Sequence, residues 1–186
     1  AGAGAGDNVL VTIPGNHNKV MGCDADWAPE CEKAALTRDA TGVYTATFTL
    51  PAGDYEYKVA EGGSWDTSYG QGGAPGGANI AYSLTQETAV TFYYNQSTHR
   101  VWNTVTDQMV TLPGSEQQAL GCSDNWKPDC LAPLMEPTGN GTYTYETTAL
   151  PEGTYELKVA IGGSWDENYG QDGAAGGANY QFATKA

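Results

Sequence analysis

Aromatic, cationic and amide side chains recur in this sequence as two matching sets. Each set holds two tryptophans, one lysine and one asparagine: Trp27, Lys58, Trp65 and Asn79 in the first, and Trp126, Lys158, Trp165 and Asn179, 99 or 100 residues later, in the second. An indole ring stacks on the C–H face of a pyranose, because its negative face attracts the slightly positive hydrogens. Lysine and asparagine side chains can hydrogen-bond the hydroxyls at the rim of the sugar. The sets therefore predict two carbohydrate-binding sites.

Each of these residues also has a structural interpretation. A tryptophan in a glycine-rich β protein often fills the core, and a lysine on a strand is often only solvated. Tyr69 and Tyr169 are duplicated as well, and each precedes a glycine. Their rings either contact a ligand or pack on a turn, so we include both as candidate carbohydrate contacts.

The candidate residues lie within a long internal repeat, because the segment 22–79 returns as 121–179. A repeat of about 100 residues has the size of an independent small domain, whereas solenoid units run to about 20–50 residues. The sequence therefore predicts two domains, over residues 7–105 and 106–186. The alternating Ala-Gly of residues 1–6 cannot bury an apolar face and predicts a flexible linker.

Four cysteines fall two per repeat, as Cys23 with Cys31 and Cys122 with Cys130. Two cysteines per repeat could contribute to a zinc site, but the two histidines of the chain are not duplicated and would not complete it. Two local disulfides are the better interpretation, each enclosing a tryptophan in its loop. Disulfides indicate an exported protein, outside the cell or on its surface.

Each repeat has a residue pattern that is typical of β-strands. Residues 42–50 alternate with period two and are rich in β-branched and aromatic types, Pro51-Ala52-Gly53 interrupts them, and residues 54–60 resume the pattern. The two segments predict a hairpin, which residues 142–150 and 154–160 would repeat. Short strands with regular turn signals predict an all-β protein of two sandwich domains, with little helix.

The two repeats differ at their ends. After Asn79, the first continues to Val105 with two further predicted strands, 89–94 and 99–105, whereas seven residues follow Asn179. The second domain is therefore expected to lack its last strand or two, either because the sequence is part of a longer chain or because another chain donates the strand. An open sheet edge is a template for strand addition. It also suggests an alternative function, a structural subunit of an extracellular fibre or surface layer.

Long strings of the sequence resemble a known family. Gly-Cys-Asp-Ala-Asp-Trp-Ala-Pro-Glu-Cys at 22–31 and Gly-Ser-Trp-Asp-Glu-Asn-Tyr-Gly at 163–170 resemble hallmark strings of the X25 modules that accompany pullulanases and other secreted bacterial starch-degrading enzymes. Those modules are related to the family 48 starch- and glycogen-binding modules. The first repeat departs from the second string at Thr67 and Ser68. The resemblance implies an immunoglobulin-like sandwich that associates with α-glucan, in which the duplicated tryptophans stack on sugar and the lysines and asparagines bind hydroxyls.

Charge and composition exclude several classes of function. The net charge of −14, without a basic patch, argues against binding to nucleic acid and to anionic membranes. The sequence offers no nucleophile–base set, and carboxylates are too abundant for their presence to indicate a glycosidase. We therefore expect a non-enzymatic module of an α-glucan-degrading enzyme, with no cofactor and no metal, whose partner is starch, glycogen or a maltooligosaccharide.

Overall fold

The computed structural model describes residues 9–185, so the predicted linker over residues 1–6 lies outside it. The chain divides between Asp107 and Gln108 into two compact units, called unit 1 and unit 2 below. Both are built almost entirely of strands and turns, and α1 (Asn18–Met21) is a single helical turn. The all-β tandem architecture predicted from the sequence is confirmed. Among the described residues, no helix has the length and apolarity needed to cross a bilayer.

Unit 1 carries strands on both sides of its core. The strands are β1 (Val11–Thr12), β2 (Ala35–Arg38), β3 (Tyr44–Leu50), β4 (Gly53–Tyr57), β5 (Val59–Glu61), β6 (Ser68–Tyr69), β7 (Ile80–Leu84), β8 (Thr88–Asn95) and β9 (Arg100–Asn103). Short 3₁₀ turns lie at Glu32–Ala34 and Gln71–Gly73. One sheet has the order β6-β5-β1-β2-β3-β8-β9, and β4 pairs with β7 in a second sheet.

The two sheets of unit 1 meet through aromatic side chains. The ring of Phe92, on β8, has its centroid 5.2 Å from that of Tyr57 on β4 and 5.8 Å from that of Tyr82 on β7. All three rings are buried. Edge-to-face contacts of this kind add to the hydrophobic stabilisation of a core. Unit 1 is thus a sandwich, while its assignment to the immunoglobulin-like class stays a prediction.

The hairpin predicted from residues 42–60 is wrong. Strand β3 pairs with β8, in the register Tyr44↔Tyr94 to Leu50↔Thr88, whereas β4 pairs with β7 in the opposite sheet. Alternation identifies a strand but not its partner, and at Pro51 the chain crosses from one sheet to the other. The predicted strand 54–60 is also divided, since Lys58 separates β4 from β5.

Unit 2 repeats part of this arrangement. Its strands are β10 (Val110–Thr111), β11 (Glu136–Pro137), β12 (Tyr143–Thr144), β13 (Gly153–Leu157), β14 (Val159–Ile161), β15 (Glu167–Tyr169) and β16 (Tyr180–Thr184), with 3₁₀ turns at Gln118–Leu120 and Gln171–Gly173. The pairings are β10-β14-β15, β11-β12 and β13-β16. As in unit 1, the predicted hairpin is absent from this part of the described chain, because β12 pairs with β11 and not with β13.

The predicted strand 142–150 is reduced to Tyr143–Thr144 in unit 2. In unit 1 the equivalent strand pairs along its whole length with β8, and the described part of unit 2 contains no counterpart of β8 or β9. Core positions change accordingly. Tyr57 is fully buried, whereas its counterpart Leu157 is partly exposed. Among the described residues, 145–150 form no strand and line a groove beside Leu157.

Both predicted disulfides are present. Cys23 bonds Cys31, and Cys122 bonds Cys130. In the chain-entropy description, cross-links that close loops this short stabilise a protein by roughly 2–3 kcal/mol each. Each loop carries one of the candidate tryptophans, so the cross-link also restricts where that ring can lie.

Candidate functional site

A Pro-Gly turn connects the two segments that carry the first candidate residues. In unit 1 the Trp27 N–H donates to the Gly15 carbonyl at 2.9 Å, and the Lys58 N–H donates to the Pro14 carbonyl at 3.0 Å. In unit 2 the Trp126 N–H donates to Gly114 at 3.2 Å and the Lys158 N–H donates to Pro113 at 3.0 Å. These bonds take Lys58 and Lys158 out of the sheet and place each of them beside the disulfide loop.

Glycine is required in this turn by close packing. A Cβ at Gly15 would lie 2.3 Å from the Glu56 carbonyl oxygen, and one at Gly114 would lie 2.2 Å from that of Glu156. Any side chain would therefore push the turn away from the neighbouring strand. The same turn accepts hydrogen bonds from the tryptophan and lysine backbones. The glycine therefore fixes how close these two residues lie to the neighbouring strand.

Trp27 and Trp126 have left-handed backbone conformations, with φ of 56° and 59°. For a residue with a bulky side chain this conformation costs roughly 1–2 kcal/mol. It persists because the disulfide and the hydrogen bond to the Pro-Gly turn fix the loop on both sides of the ring. The sequence did not reveal this strain, which occurs at the same position in both units.

Sequence reasoning also missed a buried amide behind each tryptophan. The Asn18 Oδ1 accepts hydrogen bonds from the N–H groups of Gly15 at 3.1 Å and Ala28 at 3.0 Å. In unit 2 the Gln117 Oε1 accepts from Gly114 at 3.2 Å and Lys127 at 2.7 Å. Each amide thus ties the Pro-Gly turn to the residue that follows the tryptophan. The sequence does carry an amide side chain at this equivalent position of both repeats, which could have indicated its role.

We predict that Asn18→Leu together with Gln117→Leu weakens saccharide binding as well as the fold. Each buried N–H left without an acceptor costs about 1–3 kcal/mol, and the tryptophan loop loses its tie to the turn. Urea denaturation measures the first effect and titration with maltoheptaose the second. Asn18→Gln is the matched control, because unit 2 already uses glutamine there. An unchanged affinity in the leucine variant would contradict a positioning role.

Trp65 and Trp165 lie in a tight loop and project into solvent, with exposed fractions of 43% and 39%. Gly62-Gly63 and Gly162-Gly163 precede them in left-handed conformations. The loop is closed by a serine, since the N–H of the aspartate after each tryptophan donates to Ser64 Oγ or Ser164 Oγ at 3.2 Å. Large exposed indoles in fixed loops are available as stacking surfaces.

The structure places three candidate residues of unit 1 and two candidate residues of unit 2 close to one another. In unit 1 the rings of Trp27 and Trp65 lie 6.4 Å apart with an angle of 35° between their planes. The Lys58 Nζ lies 6.0 Å from the centroid of the Trp65 ring, a cation–π distance, and Lys158 stands over Trp165 at 6.0 Å as well. In each unit a lysine ammonium therefore lies over the exposed indole.

The asparagines adjoin this group through sheet register. The β4–β7 ladder ends at Tyr57↔Ile80, so Lys58, which follows Tyr57, and Asn79, which precedes Ile80, both adjoin this end of the ladder. Lys158 and Asn179 adjoin the Leu157↔Tyr180 end of the β13–β16 ladder in the same way. The Asn179 amide also donates to Glu156 Oε1 at 3.3 Å. The amide therefore lies at the same corner of the sheet as the lysine.

The two tyrosines have contacts of different kinds. The Tyr69 ring stacks on His99 with centroids 3.8 Å apart and planes within 4° of parallel, so a sugar can approach only its other face. The Tyr169 hydroxyl donates to Glu167 Oε2 at 2.6 Å. Their role as carbohydrate contacts stays a prediction.

The histidines are engaged in packing and in hydrogen bonds. His17 is buried, with Nδ1 2.7 Å from the Tyr82 hydroxyl and Nε2 2.8 Å from the Ile13 carbonyl, and burial lowers its pKa to about 4. Residues 9–185 contain no group of three or more histidine, cysteine, aspartate or glutamate side chains arranged to hold a metal ion. The side chains gathered at each candidate site are aromatic rings and hydrogen-bonding groups.

In a comparison with known proteins, both units match the same family model. A family model described as the pullulanase X25 domain matches residues 10–101 and 109–186. An amylopullulanase of Thermoanaerobacter thermohydrosulfuricus is 37% identical over 179 residues, which cover 91% of this chain and 12% of that protein. An amylopullulanase of Thermoanaerobacterium thermosulfurigenes is 33% identical over 189 residues, or 96% of this chain and 10% of that protein. The solved pullulanase from Bacillus acidopullulyticus is similar at 25% identity and a TM-score of 0.49, covering 83% of this chain and 16% of that one.

Proposed function

Because this chain belongs to the pullulanase X25 domain family, we propose that its two units are non-catalytic α-glucan-binding modules of a larger enzyme. The chain spans only 10–12% of the length of the two amylopullulanases compared above, which leaves the catalytic machinery to other parts of such a protein. The family is named for pullulanase, an enzyme whose substrate pullulan is an α-glucan. Two disulfides suit an enzyme that works outside the cell or on its surface.

The observation that carries this proposal is the strained tryptophan of each unit. Trp27 and Trp126 keep a conformation that most residues avoid, and a disulfide, a glycine turn and a buried amide hold each of them there. Backbone strain of this kind collects at functional sites, where the surrounding structure supports it. A ring needed only to fill space would not require the same strained backbone in both units.

The arrangement suits a sugar better than a small apolar ligand. The exposed Trp65 ring lies beside Trp27 and presents an apolar surface, and the Lys58 ammonium over it can donate to sugar hydroxyls. Asn79, which directly precedes β7, would supply an amide. No deep cavity is needed for stacking, so each site is open and its affinity modest. Two modest sites on one chain gain avidity on a polymer that repeats the same unit many times.

The alternative of a fibre or surface-layer subunit remains a second prediction. A monomer retarded in starch-containing gels supports the glucan-binding module, whereas a polymer that resists dilution supports the fibre subunit.

The decisive experiment replaces the exposed rings. We expect Trp65→Ala together with Trp165→Ala to abolish retention on starch, since one stacking aromatic typically contributes about 1–3 kcal/mol of binding. Titration of the parent chain with maltoheptaose should change tryptophan fluorescence, and the far-ultraviolet dichroism of the variant should stay that of the parent. Trp102→Phe is the matched control, because Trp102 is buried against Tyr93. Undiminished retention of the double variant would refute the proposed site.

A further inference from the structure

The loops that carry the exposed indoles of Trp65 and Trp165 follow the same backbone course in the two units. Two glycines precede each tryptophan, with φ of 87° and 78° in unit 1 and of 86° and 82° in unit 2. Each loop rejoins the sheet in the same register, at Ser68 in unit 1 and at Asn168 in unit 2. From the first glycine to the tyrosine after the loop, the two sequences differ only at positions 67–68 and 167–168. A difference in the bonds within the loop therefore originates at these positions.

In unit 2 an amide side chain closes the loop. The Asn168 Nδ2 donates to the Trp165 carbonyl oxygen at 2.8 Å. The backbone of Asn168 is held in the β14–β15 ladder opposite Ala160, so the amide ties the tryptophan to the sheet. The Asn168 Oδ1 is buried and has no hydrogen-bond partner among the described residues. An unpaired buried oxygen is destabilising, so a gain in fold stability does not explain this amide.

Unit 1 holds its exposed indole in a different way. The side chain of Ser68 makes no hydrogen bond to the Trp65 carbonyl in the described part of the chain. Instead, the Trp65 ring packs beside the Trp27 ring, with centroids 6.4 Å apart. The described residues show no such ring contact between Trp126 and Trp165. The exposed indole of unit 1 is thus supported at its ring, and that of unit 2 is supported at its backbone.

We propose that Asn168 is a positioning residue that holds the Trp165 indole ready for saccharide stacking, as the Trp27 ring does for Trp65. This inference rests on the proposed glucan-binding function of the units. A loop that begins with two glycines has many accessible conformations, and a saccharide that orders such a loop on binding loses affinity. The bond from Asn168 orders the loop when the chain folds, so less of the stacking free energy is lost on binding.

Relaxation of the indole N–H groups in the ligand-free full chain tests the positioning without any saccharide. We expect Asn168→Ser, which introduces the residue of unit 1, to lower the ¹⁵N heteronuclear NOE of the Trp165 indole. The NOE of the buried Trp102 indole should stay unchanged. Urea denaturation should show little loss of stability, because the substitution also removes the unpaired oxygen. An unchanged NOE at Trp165 would overturn the proposal.

A rescue in unit 1 tests the same bond at the matching position. Trp27→Ala removes the ring support and should lower the NOE of the Trp65 indole. Adding Ser68→Asn rebuilds the tie of unit 2, because the two loops share their backbone course and register. The NOE of Trp65 should then rise again. Failure of Ser68→Asn to raise it would show that the amide does not order the loop.

Titration with maltoheptaose distinguishes this inference from the proposed function. In a chain whose unit 1 is silenced by Trp65→Ala, Asn168→Ser should raise the dissociation constant about three- to tenfold, the effect of leaving one large side chain unordered. In a chain silenced by Trp165→Ala, Ser68→Asn should change the dissociation constant by less than about twofold, since the ring of Trp27 already supports Trp65. Binding by the parent chain with an unchanged constant in Asn168→Ser would overturn the positioning role alone. No binding by the parent chain would refute the proposed function, and the saccharide role of Asn168 with it.

Discussion

Replacing both strained tryptophans by glycine, as Trp27→Gly with Trp126→Gly, should abolish retention on starch and leave the free energy of unfolding nearly unchanged. Glycine adopts the left-handed conformation without a steric cost, so each substitution relieves roughly 1–2 kcal/mol of strain. That relief offsets the packing lost with the ring. Both rings are only partly buried, so the lost packing is smaller than for a core residue.

Two comparisons separate this outcome from a structural role. Truncating a large buried aromatic residue typically costs about 3–5 kcal/mol, so a core tryptophan would make the glycine variant strongly unstable. Trp27→Ala with Trp126→Ala is the matched control, because alanine removes the ring and keeps the strain. The alanine variant should therefore be less stable than the glycine variant. Urea denaturation followed by far-ultraviolet dichroism measures both, and full starch retention in the glycine variant would remove Trp27 and Trp126 from the site.

The stability of the two units should change in opposite directions with pH, and this is the second large effect. Burial lowers the pKa of His17 in unit 1 to about 4. A group whose pKa is lowered by folding contributes stability above its unfolded value, near 6.5, and this contribution is lost as the pH falls. For His17 the loss approaches about 3 kcal/mol below pH 4. Unit 1 should therefore weaken between pH 6.5 and pH 4.

In unit 2, Glu116 gives stability the opposite dependence on pH. Burial raises the pKa of this carboxyl to about 7, from a usual value of 4.5. The protonated form is favoured in the folded state, so its contribution is complete below pH 4.5 and is lost as the pH rises through about 7. The groove of about 980 Å³ beside it is lined by no cation, and its other titratable lining residues are Tyr145, Glu146 and Tyr180. Unit 2 should therefore weaken as the pH rises from 5 to 8.

Hydrogen exchange of the full chain measures the two units separately, once the rates are corrected for the intrinsic effect of pH. Amides of β3 and β8 report on unit 1, and those of β13 and β16 report on unit 2. Glu116→Gln should flatten the response of unit 2 and leave that of unit 1 as it is. Parallel responses of the two units in the parent chain would show that neither buried group governs stability.

Much of this molecule follows from local rules that operate on neighbouring residues. Period-two alternation located most of β3, β4 and β8, and equal spacing of the cysteines predicted the cystine bonds that the structure contains. The internal repeat also identified residues that lie close together in the structure, since Trp27 and Trp65 meet at 6.4 Å and Lys58 lies over Trp65. These features depend on short-range geometry and on duplication, which are both visible in a sequence.

Which distant segments pair or pack with each other is visible only in the tertiary structure. Residues 42–50 were predicted to pair with the next segment but pair with β8, because a strand pairs with the segment that best completes its buried face. The strain at Trp27 and the buried amide of Asn18 arise where a loop, a turn and a disulfide meet, and no local pattern records such a junction. The same holds for Glu116, whose missing partner becomes visible only once the core around it is assembled.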